Sequence, residues 1–337
     1  MPPIHLPDRA PGQVAARALE PVTEATPGGR PAARVAILMC TWQGGRYLAP
    51  QLDSFLAQRH PHWRLWVSDD GSTDDTLDIL RQYQSGRMAG RLQLCRGPGR
   101  GLAANFLSLA CRPDIDADYY AFSDQDDIWE ADKLARAIAC LRTLPANVPA
   151  LYIARTRLVD QDNRAYGESA RYTRPPGFGN ALVQNIGGGN TMVFNPAARR
   201  LLCLAGADVA VLAHDWWLYM LVAGCGGRVY YDDYLSLRYR QHGNNLMGSN
   251  LGLAARWHRA RLLLRGQFHR WNTANLTALQ RVRDHLDPAS RRTLDAFVQG
   301  RAQPLAPRLR WFARSGLRRQ TPLGNLGLLV AVLFGKL

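Results

Sequence analysis

From Val35 onward, short apolar runs alternate with segments whose apolar residues recur every three or four positions. Val35–Met39, Arg64–Val67, Leu92–Cys95 and Tyr119–Ser123 are brief and bounded by turn residues, which predicts strands. Arg46–Gln58, a segment from about Asp74 to Tyr83, Leu102–Cys111 and Asp132–Leu141 read as helices; Leu48, Leu52, Phe55 and Leu56 share one side of the first. This βαβα order predicts an α/β chain with a mostly parallel sheet and helices on both faces. After Pro149 the alternation loosens. Leu151–Leu158, Thr191–Phe194 and Leu235–Arg240 read as strands, and Asp215–Val222 as a helix. Beyond Leu251 the period is helical, with Leu253, Trp257, Leu264, Phe268 and Trp271 on one stripe.

Composition adds bounds. The 337 residues, 47% of them apolar, can bury one large core or two modest ones. The six cysteines are scattered without Cys-x-x-Cys or zinc spacing, so they are expected as reduced thiols. The first 33 residues are rich in Pro, Ala and Gly and lack an apolar signal core, which predicts a disordered lead-in. No stretch reaches the roughly 20 apolar residues of a spanning helix. The net charge of +15 is concentrated: residues 251–337 hold 16 Lys/Arg against 3 Asp/Glu, and the first 250 are nearly balanced. Three segments are therefore expected: 1–33, a catalytic 34–250, and a basic helical extension over 251–337.

Candidate chemistry gathers where strands end. Tyr119–Ser123 runs into Asp124, Asp126 and Asp127, three carboxylates in four positions at the carboxyl end of a buried strand, where open α/β sheets bind ligands. Such crowding calls for a cation or several hydrogen-bond donors. Ile128 and Trp129 exclude an EF-hand; Mg²⁺ or Mn²⁺ shared with substrate phosphates suits the set better. Asp69-Asp70-Gly71-Ser72-Thr73 closes the second strand, either as turn and capping chemistry or as a carboxylate for a ribose hydroxyl or base N–H. Gly187-Gly188-Gly189-Asn190 lets the backbone approach something closely but lacks the lysine of a phosphate-binding loop.

Cys40-Thr41-Trp42-Gln43-Gly44-Gly45-Arg46, Ser68-Asp69-Asp70-Gly71-Ser72-Thr73-Asp74 and Phe122-Ser123-Asp124-Gln125-Asp126-Asp127-Ile128-Trp129 together resemble family 2 glycosyltransferases, in particular the rhamnosyltransferase-like branch that builds bacterial surface polysaccharides. The resemblance extends roughly from Val35 to Gly248. It implies a GT-A fold, a Rossmann-like nucleotide-binding sheet fused to an acceptor-binding half, here followed by the basic helical extension. It also implies inverting transfer from a nucleotide sugar, dTDP- or UDP-linked, to a lipid-linked saccharide in lipopolysaccharide, O-antigen or exopolysaccharide synthesis.

By that resemblance Thr41 and Trp42 lie against the nucleobase and ribose, Asp70 with Asp69 holds the nucleoside, and Asp124 faces the ribose. Asp126 ligates the divalent cation, and His242 of Gln241-His242-Gly243-Asn244-Asn245 helps it; a histidine that merely ends a strand is the alternative. Arg240 is placed to help with phosphate charge. Asp215 of His214-Asp215-Trp216-Trp217 is the expected catalytic base, or otherwise a helix cap. Gly189 and Asn190 line the acceptor side; Trp216 and Trp217 offer a platform for a sugar ring, with one of the pair expected in the core. Gln267-Phe268-His269-Arg270-Trp271 matches the Q-x-x-R-W signature of processive synthases, but Trp271 is accounted for by packing on the stripe.

In the tail, Arg308, Arg310, Arg314, Arg318 and Arg319 interleave with Leu309, Trp311, Phe312 and Leu317 before the apolar run Leu326–Phe334. An anionic membrane surface is the expected partner, against a solvated helical face as the alternative. No nucleic-acid module accompanies the charge, so none is expected to bind. A cytoplasmic protein, peripheral on the inner face of the cytoplasmic membrane, is the resulting expectation. The competing functions are a sugar nucleotidyltransferase and a non-enzymatic basic adaptor for membrane or nucleic acid.

Overall fold

The chain is described by a computed structural model for residues 32–241 and 267–337. The expected lead-in lies almost wholly outside the described residues. His242, the break at residue 250, and Leu253, Trp257 and Leu264 of the stripe lie outside them too.

Four strands carry the first half: β1 (Val35–Thr41), β2 (Trp63–Asp69), β3 (Leu92–Arg96) and β4 (Tyr119–Ser123). They are parallel and ordered β3-β2-β1-β4. Helices α1 (Gly45–Leu56), α2 (Thr76–Ser85) and α3 (Leu102–Ala110) connect them. The second half adds β5 (Ile128–Trp129), α4 (Lys133–Leu141), β6 (Ala150–Val159), β7 (Ala165–Glu168), α5 (Phe178–Ala181), β8 (Val193–Phe194), α6 (Pro196–Ala205), α7 (His214–Gly224) and β9 (Arg228–Arg240). These strands extend the sheet from β4 in the order β8-β6-β9-β5, with β7 beside β6. The expectation of a mostly parallel sheet is corrected here. Only β6 and β9 pair in parallel in this half; β4–β8, β8–β6, β6–β7 and β9–β5 are antiparallel. Past Pro149 the helical connections no longer fall one between each pair of neighbouring strands: β6 returns directly into β7, whereas α6 and α7 together separate β8 from β9.

The alternation of strand side chains divides the core into two layers. Ala36, Leu38 and Cys40 of β1 face one layer, Val35, Ile37 and Met39 the other. Leu48, Leu52 and Phe55 of α1 and Leu134, Ala137 and Ile138 of α4 cover the second. Phe106 of α3, Leu202 of α6 and all of Trp216–Val222 in α7 cover the first. Among the described residues four C-terminal helices follow: α8 (Gln267–Gln280), α9 (Pro288–Arg301), α10 (Leu305–Arg314) and α11 (Pro322–Leu333). Their Leu276, Leu279, Leu294, Phe297, Leu328 and Val332 are buried in the same layer as α7. The basic extension is thus packed onto the sheet domain through a shared core. The carboxyl ends of β1, β2 and β4 emerge together, because Thr41 is level with Asp69 and Met39 with Ser123.

Candidate active site

Three loops meet at those strand ends. Asp69, buried at the end of β2, accepts four hydrogen bonds: from Gly71 N (3.1 Å), Ser72 N (2.8 Å), Ser72 Oγ (2.6 Å) and Thr41 Oγ1 (2.8 Å). Asp69 and Thr41 therefore hold the β1 and β2 turns together, and neither polar group faces the cleft freely. Asp70 accepts from Gly99 N at 2.6 Å and Gly101 N at 3.2 Å, so it draws the glycine loop after β3 toward β2. Gly97 has no room for a side chain: a Cβ would lie 2.5 Å from Asp70 Oδ1. Trp42 is 63% exposed at the mouth. Its backbone is clamped by Gln125, whose Oε1 accepts from Trp42 N (2.9 Å) and whose Nε2 donates to Trp42 O (3.0 Å). Gln125 also lies against Gly44, where a Cβ would sit 2.2 Å from Oε1.

The acidic run divides. Asp127 is fully buried and turned into the domain, where Oδ2 accepts from Asn190 Nδ2 at 2.6 Å and Oδ1 from Arg240 N at 3.3 Å. Burial, then Asp126 and Asp124, push its carboxyl well above the usual range. Asp124 and Asp126 stay half-buried at the cleft. Burial and the neighbouring Asp126 and Asp215 push the Asp124 carboxyl up to about 7, against the pull of Lys133.

Lys133 is the residue that sequence reasoning missed. It is fully buried, donates from Nζ to the Asn190 carbonyl, and stands 3.7 Å from the centre of the Trp129 ring. Burial lowers its ammonium to about 7, and Asp127 and Asp124 oppose that fall. One signal was present in the sequence: Lys133 opens α4, where the helix dipole disfavours a cation. Only a strong local anion makes that position reasonable.

Asp215 lies in the first turn of α7, half-buried. Its Oδ2 accepts from Gly189 N at 3.0 Å and its Oδ1 from Trp216 N at 2.6 Å, and the Asn185 side chain also bonds it. Burial raises its carboxyl above the ordinary value, and these donors pull it back. Gly189 is squeezed between Asp215 and His214: a Cβ there would be 2.4 Å from His214 Nε2. The buried His214 ring stacks on Phe106 at 3.8 Å between centroids and meets the edge of Phe122 at 4.8 Å. Burial pushes its imidazole down to about 3, and neither ring nitrogen has a hydrogen-bond partner among the described residues.

Two expectations are corrected by burial. Trp217 is fully buried and Trp216 nearly so, its Nε1 donating to Ala181 O at 2.6 Å, so neither presents a ring face to a sugar. The periodicity of α7 explains this, since the whole helix is sandwiched and keeps no wet side. The Arg240 side chain is buried as well: Nε donates to Asp126 O (3.0 Å), Nη1 to Gln161 O (2.8 Å), and the guanidinium lies over Tyr47. Arg240 braces the acidic loop from behind. The Q-x-x-R-W segment is the first turn of α8, where Arg270 bonds Gln267 at 2.6 Å.

Comparison with known proteins gives this arrangement its family. The family described as glycosyl transferase family 2 matches residues 36–201. The dTDP-rhamnosyl transferase RfbG of Shigella flexneri is 31% identical over 237 residues, which span 67% of this chain and 78% of the relative. The chain belongs to glycosyl transferase family 2. A second relative, the putative teichuronic acid biosynthesis glycosyltransferase TuaG of Bacillus subtilis, is 32% identical over 107 residues, covering 31% of this chain and 40% of TuaG. Among solved structures, S. aureus TarS 1–349 in complex with UDP superposes with a TM-score of 0.51 at 14% identity, covering 90% of this chain and 89% of that one. That likeness concerns the fold, which is GT-A: a mixed, curled sheet between helical layers. The glycosyltransferase motifs come together at the strand ends: Trp42 is bonded to Gln125, between Asp124 and Asp126, and Asp215, bonded to Gly189, acts electrostatically on Asp124. No group of three or more His, Cys, Asp or Glu in metal-holding geometry occurs among the described residues.

Proposed function

We propose that this glycosyltransferase moves a sugar, rhamnose in the first instance, from a nucleotide diphosphate donor to a saccharide hydroxyl with inversion. The observation that carries the reading is the convergence of Asp124, Asp126 and Asp215 at the carboxyl end of the sheet, close enough for Asp126 and Asp215 both to act electrostatically on Asp124. Trp42 and Asp70 form the nucleoside side, with Thr41 and Asp69 as the scaffold behind them. Gly189 and Asn190 form the acceptor side. The RfbG relative is named for dTDP-rhamnose, which supports that donor before UDP sugars.

The donor set fits a divalent cation of the Mg²⁺ or Mn²⁺ kind. Asp127 is engaged inward, which leaves Asp126 with Asp124 as carboxylate ligands, and hard cations of this size take one or two carboxylates plus substrate phosphates and water. Bound there, the cation would neutralise charge on the leaving diphosphate. His242 is proposed as a further ligand from its motif alone.

Asp215 acts as general base. Burial raises the basicity of its carboxylate, and the Gly189 and Trp216 amides hold its orientation. The acceptor oxygen attacks the anomeric carbon and gives its proton to Asp215. The bond from that carbon to the diphosphate breaks, and its electron pair leaves on the diphosphate oxygen. The acceptor is proposed to be a saccharide on a lipid carrier at the inner face of the cytoplasmic membrane, with the basic extension as the peripheral anchor.

Asp215→Asn should lower turnover by about 10²–10⁴-fold while nucleotide binding persists. Asp126→Ala should remove transfer and its divalent-cation dependence together. Transfer from dTDP-rhamnose, with titration of Mg²⁺ and Mn²⁺, measures both; full turnover by Asp215→Asn would exclude it as the base.

A further inference from the structure

The outward side of α11 presents no polar side chain. Leu323, Leu326, Leu329 and Leu333, with Phe334 beyond the helix end, are between 37% and 65% exposed. At 100° per residue they share one side, opposite the buried Leu328, Ala331 and Val332. Asn325, the one polar side chain between Pro322 and Leu333, is folded back: it accepts from Arg319 N (2.7 Å) and donates to Arg319 O (2.9 Å) and Thr321 O (3.0 Å). A helix that is apolar all round but buried on one side needs a second apolar environment.

The charge around this face identifies that environment. Residues 296–337 contain seven Lys/Arg and no Asp or Glu. Arg310 and Arg314 of α10, which packs against α11, are exposed, and so is Arg318; none is paired with a carboxylate among the described residues. Leu326 and Leu329 line an open groove together with Phe312 and Arg318. A second copy of this chain would bring the same positive sign against it and be repelled. Residues 242–266 carry four further arginines and no carboxylate, so they share that sign. The twelve residues of α11 reach about 18 Å, well short of the roughly 30 Å hydrocarbon core. No described helix is long and apolar enough to cross a membrane.

We infer that α11 lies in the headgroup region of an anionic lipid bilayer, its leucines and Phe334 inserted and Arg310, Arg314 and Arg318 against the lipid phosphates. This deepens the proposed peripheral anchoring and rests on it only for its purpose. It also explains how the tail joins the acceptor side. Arg318 donates to Pro175 O (3.0 Å) and its own carbonyl accepts from Asn180 Nδ2 (2.9 Å), while Gln320 N donates to Gln184 Oε1 (2.7 Å). The next residue, Asn185, bonds Asp215. The segment that leads into the docked helix therefore holds the turn whose Asn185 bonds the candidate base.

Flotation of the full chain, without donor or acceptor, tests docking separately from transfer. The wild type should float with phosphatidylcholine vesicles containing phosphatidylglycerol and at least tenfold less with phosphatidylcholine alone. Leu326→Asp with Leu329→Asp should abolish flotation and leave the urea midpoint and donor hydrolysis unchanged. Arg310→Gln with Arg314→Gln, fully surface changes, should weaken partition about fivefold for each arginine. Equal recovery on both vesicle types, or undiminished flotation of either double variant, would overturn the inference. So would light scattering that shows a dimer dispersed by the leucine substitutions while nothing floats.

Discussion

Asp69 and Asp126 both stand in acidic loops at the carboxyl ends of parallel strands, yet their surroundings differ. Asp69 is surrounded by four protein donors, from Gly71, Ser72 and Thr41, and belongs to the fold. Asp126 stays at the cleft beside Asp124, while Asp127 is turned inward and serves the architecture. A carboxylate at a strand end is thus no guide to ligand binding until its burial is known. The same contrast separates the two ways of holding anions in this protein. The loop after β2 holds its carboxylates with main-chain N–H groups and hydroxyls. The loop after β4 uses a buried ammonium, Lys133, to hold the Asn190 carbonyl and offset Asp124 and Asp127.

The largest effect should come from breaking the ammonium. Lys133→Met leaves the buried Asn190 carbonyl without its donor and removes the charge that offsets Asp124 and Asp127, and should destabilise the chain by about 3 kcal/mol in urea unfolding. Adding Asp127→Asn should recover part of that loss, because the two groups act on each other; strictly additive losses would show that they do not. Asp69→Asn should follow, at roughly 1–3 kcal/mol, since an amide cannot accept from all four donors. Asp126→Asn, measured alongside, should remove activity, whereas Asp69→Asn acts through stability; full activity of Asp126→Asn would undo the contrast.

The effect that is smallest at neutral pH is a pH dependence. His214 is held neutral with a folded value of about 3 against the ordinary 6.5. Between those values the unfolded chain binds a proton that the folded chain refuses, so stability is full above about pH 6.5 and falls as pH drops toward 3. His214→Leu should flatten that acid limb in denaturation curves collected from neutral to acid pH. An unchanged limb would assign the acid sensitivity to other groups.

The first half was readable because its signals are local. Each strand from Val35 to Ser123 was found to within two residues, since a buried parallel strand is an apolar run with turn residues at its ends. The second half was less legible. Strand Arg228–Arg240 runs for thirteen residues with an irregular burial pattern, and only its last six read as strand, because Asp232 and Asp233 interrupt the apolar run. Asp232 is buried only because Arg136 (3.1 Å) and Tyr152 (2.7 Å) meet it from distant segments. Strand Ile128–Trp129 is too short for any periodicity and exists through its pairing with Leu237 and Arg238. Trp216 and Trp217 read as adjacent aromatics of opposite use, but both sides of α7 are covered.

The sequence by itself determined the family, the parallel first half, and the strand ends at which acidic residues gather. Local periodicity and motif spacing carry that information without any long-range contact. Only the tertiary structure decided which of those acids face the cleft. Asp69 and Asp127 are removed from it by donors far along the chain, Thr41 in one case and Asn190 and Arg240 in the other. It also decided that Lys133 is buried and that the outward face of α11 stays uncovered among the described residues. Burial and hydrogen-bond satisfaction are properties of neighbours in space, and the order of residues does not state who those neighbours are.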